Sequence, residues 1–255
     1  MMGTAFRKIA FLGILIGIWE VVYRLQIWPP FLFPSPNDVL KTLISGFKDD
    51  TFTLALAVSF RRLLIGFGLA VAIGTMLGVL TASFTWVDET LGSLILSLQS
   101  VPSIVWLPLA LLWFQMGEAA IIFVVTLGGT WSMALSVASG IKNVPVIFIR
   151  AARTMGASGL TLFIEVVLPA AVPHLITGTR LAWAFSWRAL MAGELIGTGK
   201  GLGQILMWGR DFGNMSLVIA VMIMIAVIGS VSDNLVFKKV ETAVLRRWGQ
   251  LPGSK

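Results

Sequence analysis

Cysteine is missing from all 255 residues, and charged side chains make up only 12% of them. The first absence excludes disulfides and thiolate metal sites, and it leaves the redox compartment unreadable. The second is about half the charged share of a soluble domain. Histidine occurs once, at His174, so no paired-His zinc site can form. No nucleophile stands beside a recognisable base, so no catalytic residue and no metal ligand is assigned. A phosphate-cradling loop is absent too. The nearest approach is Gly199-Lys200-Gly201, with Glu194 where that pattern needs its first glycine and Gly201 where it needs Ser or Thr. The chain is therefore not expected to bind ATP itself.

What is present is apolar. Hydrophobic residues make up 57% of the chain and the mean hydropathy is +0.91. A water-soluble globule this apolar is excluded, and the class is an all-α polytopic membrane protein. The net charge of +7 reads as membrane topology rather than nucleic-acid binding, because the basic residues flank apolar runs. The first apolar run lacks a small-residue cleavage site, so no cleavable signal is expected.

Residues 1–255 read as a single transmembrane domain with six spans. These lie at about 8–23, 54–84, 91–114, 119–141, 172–196 and 215–237, since crossing takes about 20 mostly apolar residues. With the N-terminus inside, Arg7, Lys8, Lys142, Arg150, Arg153, Lys238, Lys239, Arg246, Arg247 and Lys255 fall on the cytoplasmic side. Arg24, Lys41, Lys48, Lys200 and Arg210 fall outside. That bias predicts both termini in the cytoplasm. In the first outer segment, Ser35-Pro36-Asn37-Asp38 reads as a capped helix start. Val39, Leu40, Leu43, Ile44 and Phe47 share a face of that helix, which should lie along the membrane surface.

Gly74 and Gly78 in the second span would let another helix approach closely. Pro102 and Pro108 interrupt the third span and disfavour a straight helix. A broken helix at membrane depth needs protein or water to satisfy its freed backbone. Gln99, Ser100, Pro102 and Ser103 are therefore candidate linings of a passage, with a kinked packing helix as the alternative. Charges within spans need a reason. Arg180 is read as an interfacial anchor and His174 as a polar anchor. Arg188, near mid-span, suits an anionic solute or pairs with a carboxylate elsewhere. Glu194, six residues on, is read as a gate or subunit contact on the pathway.

The segment 142–171 between spans four and five is a polar loop with helix chemistry. Pro145 opens a helix, Ile147 to Met155 form a run with Arg150 and Arg153 on its wetter side, and Gly156 ends it. A second helix, Leu160 to Leu168, is expected to stop at Pro169. Ala151 and Ala152 are small enough for another protein to approach. The pattern Arg150-Ala151-Ala152, three residues, Gly156, nine residues, Val166, one residue, Leu168-Pro169 resembles the "EAA" signature of permease subunits of ATP-binding-cassette importers. Arg150 stands where that signature has Glu. Val101 to Pro108, Gly178-Thr179-Arg180-Leu181 and Gly193-Glu194-Leu195-Ile196 look like its sulfonate, nitrate and taurine subfamily.

The resemblance implies a type I importer permease (MetI-like) core of five helices plus one N-terminal helix. It implies two permease copies, a pair of ATPase subunits holding ATP and Mg, and an extracytoplasmic substrate-binding protein, with no nucleic-acid partner. Arg150, Ala151, Ala152, Arg153, Gly156, Leu168 and Pro169 would couple to the ATPase. The setting would be a bacterial or archaeal plasma membrane with its lipid. The cargo would be an alkanesulfonate, taurine or nitrate. The competing reading is an ion-gradient-driven carrier, which would need repeat-related polar midplane sites.

Overall fold

The computed structural model describes residues 2–197 and 199–248, with side chains from residue 6 onward. Lys255, counted above among the inner basic residues, lies outside them. Every regular element among the described residues is helical. The helices are α1 (Met2–Arg24), α2 (Pro36–Lys48), α3 (Thr51–Ser83), α4 (Thr85–Gln99), α5 (Ser103–Phe114), α6 (Glu118–Lys142), α7 (Val146–Thr154), α8 (Gly159–Ile196), α9 (Leu202–Asp211) and α10 (Met215–Arg247). Of these, α3, α6, α8 and α10 are long and apolar enough to cross a bilayer.

The expected third span is not one rod. It is α4 followed by α5, bent by 98°. The break falls at Ser100 to Pro102, where proline cannot donate the next backbone hydrogen bond. With α4 and α5 taken together, five crossings are candidates. The first expected span is helical as well: α1 has 23 residues, about 35 Å of rise, and Ile9, Phe11, Leu12 and Ile14 stand exposed along it.

The chain clusters into two compact bodies, residues 1–59 with 199–227 and residues 60–198 with 228–255. The first body carries α2, whose start follows the sequence expectation. Ser35 Oγ accepts the Asp38 N–H at 3.1 Å and donates to Asp38 Oδ2 at 2.7 Å. Leu40, Ile44 and Phe47 are exposed on α2, whereas Val39 is buried. The Phe52 ring fills the space beside Gly46. The Ser59 hydroxyl accepts the Leu202 N–H at 3.0 Å, pinning the start of α9.

The second body is built on α3, α6 and α8. A Cβ at Gly74 would lie 2.7 Å from the Thr130 carbonyl, and one at Gly78 would lie 2.5 Å from that of Ala134. The small residues of α3 thus let α6 approach backbone to backbone. Met133, Val137 and Ala182 form the core where α6 meets α8. Trp183 and Trp187 pack here as well: Trp183 sits 5.2 Å edge-on to Phe67 and 5.0 Å from Phe237, and Trp187 is 6.1 Å from Phe60.

The sequence expects a helix ending at Pro169 and a fifth span starting at 172. The structure corrects the first: α8 continues through Pro169 as one 38-residue helix, which contains residues 172–196. Proline is tolerated because Phe163–Val167 is a π segment, in which the Leu168 N–H bonds to the Phe163 carbonyl. The widened turn makes room for the Pro169 ring where an α turn would clash with the carbonyl four residues back. Pro173 then leaves the Pro169 carbonyl without its intrahelical donor. The Trp248 indole supplies one, Nε1 to O at 3.1 Å.

Arg180, read as an interfacial anchor, makes ion pairs within the fold. Its Nε and Nη2 reach Asp233 at 2.6 and 2.7 Å, and its Nη1 reaches Glu241 at 2.5 Å. Thr177 donates to the other Glu241 oxygen at 2.8 Å. Arg180 thus ties α10 to α8.

Candidate functional site

The break between α4 and α5 opens a hollow of about 380 Å³. Gln99, Ser100, Pro102 and Ser103 line it from the break, and Phe185, Arg188 and Ala192 line it from α8. Five of the six residues expected on a passage therefore converge there. Arg188 is exposed to the hollow, with its guanidinium carbon 4.9 Å from the centre of the Phe185 ring. Among the described residues no carboxylate pairs with it. The structural pair weighed for Arg188 is thus not formed among the described residues. A second hollow, of about 460 Å³, shares Gln99 and Phe185 with the first and mixes the polar Ser132, Ser136, Ser139, His174 and Thr177 with the apolar Leu135, Pro173, Leu181 and Leu245. His174, expected as an anchor, opens into it.

Glu194 does not join this lining. It is buried to 1% exposure and accepts from Arg62 Nη1 at 2.9 Å. Arg62 is equally buried, and its Nη2 reaches Glu118 Oε1 at 3.3 Å. Arg61 pairs with the other oxygen of Glu118. Two arginines from α3 thus meet one carboxylate from the start of α6 and one from the end of α8. The sequence reading missed this group because its members lie 56 and 132 positions apart. The available signal was Arg61-Arg62 inside an apolar run, since such charges require partners.

Removing Arg62 should take the buried guanidinium away from the Glu194 carboxylate, while Glu118 keeps Arg61. Arg62→Met is expected to lower stability by about 3–5 kcal/mol, the usual effect of breaking a buried pair from one side. Arg62→Met/Glu194→Met should recover part of that loss. Thermal unfolding in detergent measures both, and a single variant as stable as the parent would show that the pair contributes nothing.

The other expected site, around α7, is built as follows. Gly156 has φ +90°. The Gly156 N–H donates to Arg153 O and the Ala157 N–H to Ala152 O, both at 3.0 Å. This is a Schellman stop, which needs a left-handed residue just past the helix. Val144, Val167 and Ala171 form a small core at the foot of α8, with Ile149 and Phe163 packed on it. That core holds α7 against α8. Ala152 shares the inward face with Ile149 and is only 3% exposed, so of the two alanines only Ala151 can meet a partner. Arg150 and Arg153 stand exposed, beside the exposed apolar side chains Ile147, Met155 and Leu160. Leu168 and Pro169 lie on α8, just past the π segment.

Comparison with known proteins adds the following. Residues 71–237 match the family described as binding-protein-dependent transport system inner membrane component. The chain is 33% identical over 226 residues to the taurine transport system permease protein of Escherichia coli strain K12, covering 87% of this chain and 82% of that protein. It is 32% identical over 181 residues to a nitrate import permease protein of Leptolyngbya laminosa, covering 71% and 65%. Among solved structures, a chain of the MetNI methionine ABC transporter in an inward-facing conformation superposes with a TM-score of 0.68 at 21% identity, covering 76% of this chain and 96% of that one. At that identity the likeness is one of fold.

Proposed function

This chain belongs to the family of binding-protein-dependent transport system inner membrane components and is a permease subunit of an ATP-binding-cassette transporter, and we propose that it imports a small anion. The observation that carries the cargo class is Arg188, a cation with no salt bridge among the described residues, at the wall of the hollow formed by the α4–α5 break. Gln99 and Ser103 add neutral donors around it, while the Ser100 hydroxyl donates to the Ser97 carbonyl at 2.7 Å. A lone guanidinium with amide and hydroxyl neighbours suits a sulfonate or nitrate group, whose oxygens accept but cannot donate. The taurine and nitrate permeases among its relatives fit the same chemistry.

In this reading a substrate-binding protein delivers the anion from outside. Two permease copies face each other, and a pair of ATPase subunits docks on the α7 surfaces at the cytoplasmic side. Both termini lie in the cytoplasm, and α1 is the sixth span. ATP and Mg belong to the ATPase subunits, because this chain carries no phosphate loop. Closure of the ATPase pair would push on α7, and α8 would carry that push toward the hollow.

The test is reconstitution of the permease with its ATPase and binding protein in liposomes. Uptake of labelled taurine, an alkanesulfonate and nitrate should require ATP, and unlabelled anions should compete where a neutral sugar does not. Uptake by the permease alone under an ion gradient would replace this reading with a gradient-driven carrier.

A further inference from the structure

The C-terminal third of α10 separates its charges by sign. Asp233 and Glu241 turn toward α8, where Arg180 and Thr177 take up their oxygens. The basic residues are left on another side. Lys238, Lys239 and Arg246 line a surface hollow of about 370 Å³ together with Asn234, Thr242 and Ala243. Among the described residues none of these three cations forms a direct salt bridge, although Lys238 lies near enough to the Asp233 carboxylate to feel its charge. The neutral polar groups are committed elsewhere: the Thr242 hydroxyl donates to the Lys238 carbonyl at 2.6 Å, and Asn234 Nδ2 donates to the Ser230 carbonyl at 2.9 Å. The hollow therefore offers a ligand three cations and little else.

Its setting narrows the ligand. Just before the basic residues, the same helix exposes Val231, Leu235 and Val236. Apolar wall first and cation cluster next is the order met on going from bilayer interior to headgroup level. A soluble anion has no use for the wall, and an acidic protein segment would leave it bare. We propose that this hollow binds the phosphate-bearing headgroup of an anionic phospholipid, with acyl chains lying along Val231, Leu235 and Val236. Arg246 supplies a planar fork for two phosphate oxygens, and the two lysines act as point charges. The bound lipid would rest against the helix that Arg180 ties to α8.

The full chain is placed in nanodiscs holding equal parts of phosphatidylglycerol and phosphatidylcholine, then extracted gently. Retained lipid is counted by native mass spectrometry. The parent should favour phosphatidylglycerol by roughly tenfold to a hundredfold, since each basic residue near a membrane surface contributes a factor of about five. Lys238→Gln/Lys239→Gln/Arg246→Gln should bring the ratio close to one. Lys41→Gln/Lys48→Gln/Lys200→Gln, which changes the net charge equally, should keep it. An unchanged ratio in the first variant overturns the proposal, as does equal loss in both. Displacement of the lipid by excess inorganic phosphate alone would make this a soluble-anion site, and the lipid assignment would fail. The assignment also fails if the first variant keeps its lipid but loses a co-purifying protein.

Discussion

Gly156→Asp is expected to abolish ATP-driven uptake while the chain still inserts in the membrane. The argument is conformational. Gly156 sits at φ +90°, a region where a side chain costs roughly 1–2 kcal/mol. Nothing lies within 4 Å of the position a Cβ would take, so crowding plays no part. The strain falls on the two backbone bonds that end α7, from Gly156 to Arg153 and from Ala157 to Ala152. Losing them lets α7 run on or fray, which shifts Ile147, Met155 and Leu160 relative to the foot of α8. A docking surface displaced by a fraction of a turn no longer matches a rigid partner. Gly156→Asn, the neutral counterpart of Asp and, like it, among the side chains tolerated in this region, should keep measurable uptake, so the Asp variant adds a charge at the corner to the strain. Gly156→Val, β-branched and strained most, should lose uptake through strain alone. Uptake in proteoliposomes, with co-purification of the ATPase alongside, separates the effects. Normal transport by the Asp variant would sink the coupling role of this corner.

Arg188→Glu should reduce anion uptake at least about a hundredfold, and Arg188→Gln by about tenfold to a hundredfold, because charge-assisted hydrogen bonds contribute roughly 1.5–3 kcal/mol. Arg188→Lys should fall between Gln and the parent, since it keeps the charge and loses the fork. The guanidinium makes no ion pair among the described residues, so its removal strands no buried carboxylate. The variants should therefore unfold at the parent's temperature, unlike those at Arg62. Uptake with saturating binding protein and ATP, set beside thermal unfolding of each variant, checks both halves. Full transport by Arg188→Glu would show that the anion does not pass this residue.

Local chemistry was legible from the residues alone. Ser35 caps α2 as its hydroxyl and the following proline require, and Gly156 stops α7. Pro102 signals a break, although the angle of 98° depends on what packs around it and is not encoded within the span. Reading Pro169 as a helix stop failed because a π segment upstream relieves the clash that the rule assumes. Ala151 and Ala152 looked equivalent in sequence, but the periodicity of α7 turns one outward and one onto the core beneath Ile149. Least legible were the charge pairings. Arg62 with Glu118 and Glu194, and Arg180 with Asp233 and Glu241, join residues more than 50 positions apart. A rule for charges in spans says that each needs a partner, and only the fold says which.

The unbroken length of α8 has a mechanical consequence. Its 38 residues rise about 57 Å, well beyond the roughly 30 Å of a bilayer core. A tilt of about 5° about its midpoint would sweep each end through about 2.5 Å, so a small displacement at α7 becomes a matching one near Arg188 and Glu194. The rod is not uniformly stiff, however. The π segment, Pro169 and Pro173 all fall within its first fifteen residues, so compliance is concentrated between the driven end and the part that carries the hollow. The Trp248 hydrogen bond to Pro169 and the Arg180 ties to α10 bridge that soft stretch as a splint. The last helix would thus limit backlash: how much of a push is lost as bending before it reaches Arg188 depends on the ties that α10 and Trp248 make to α8.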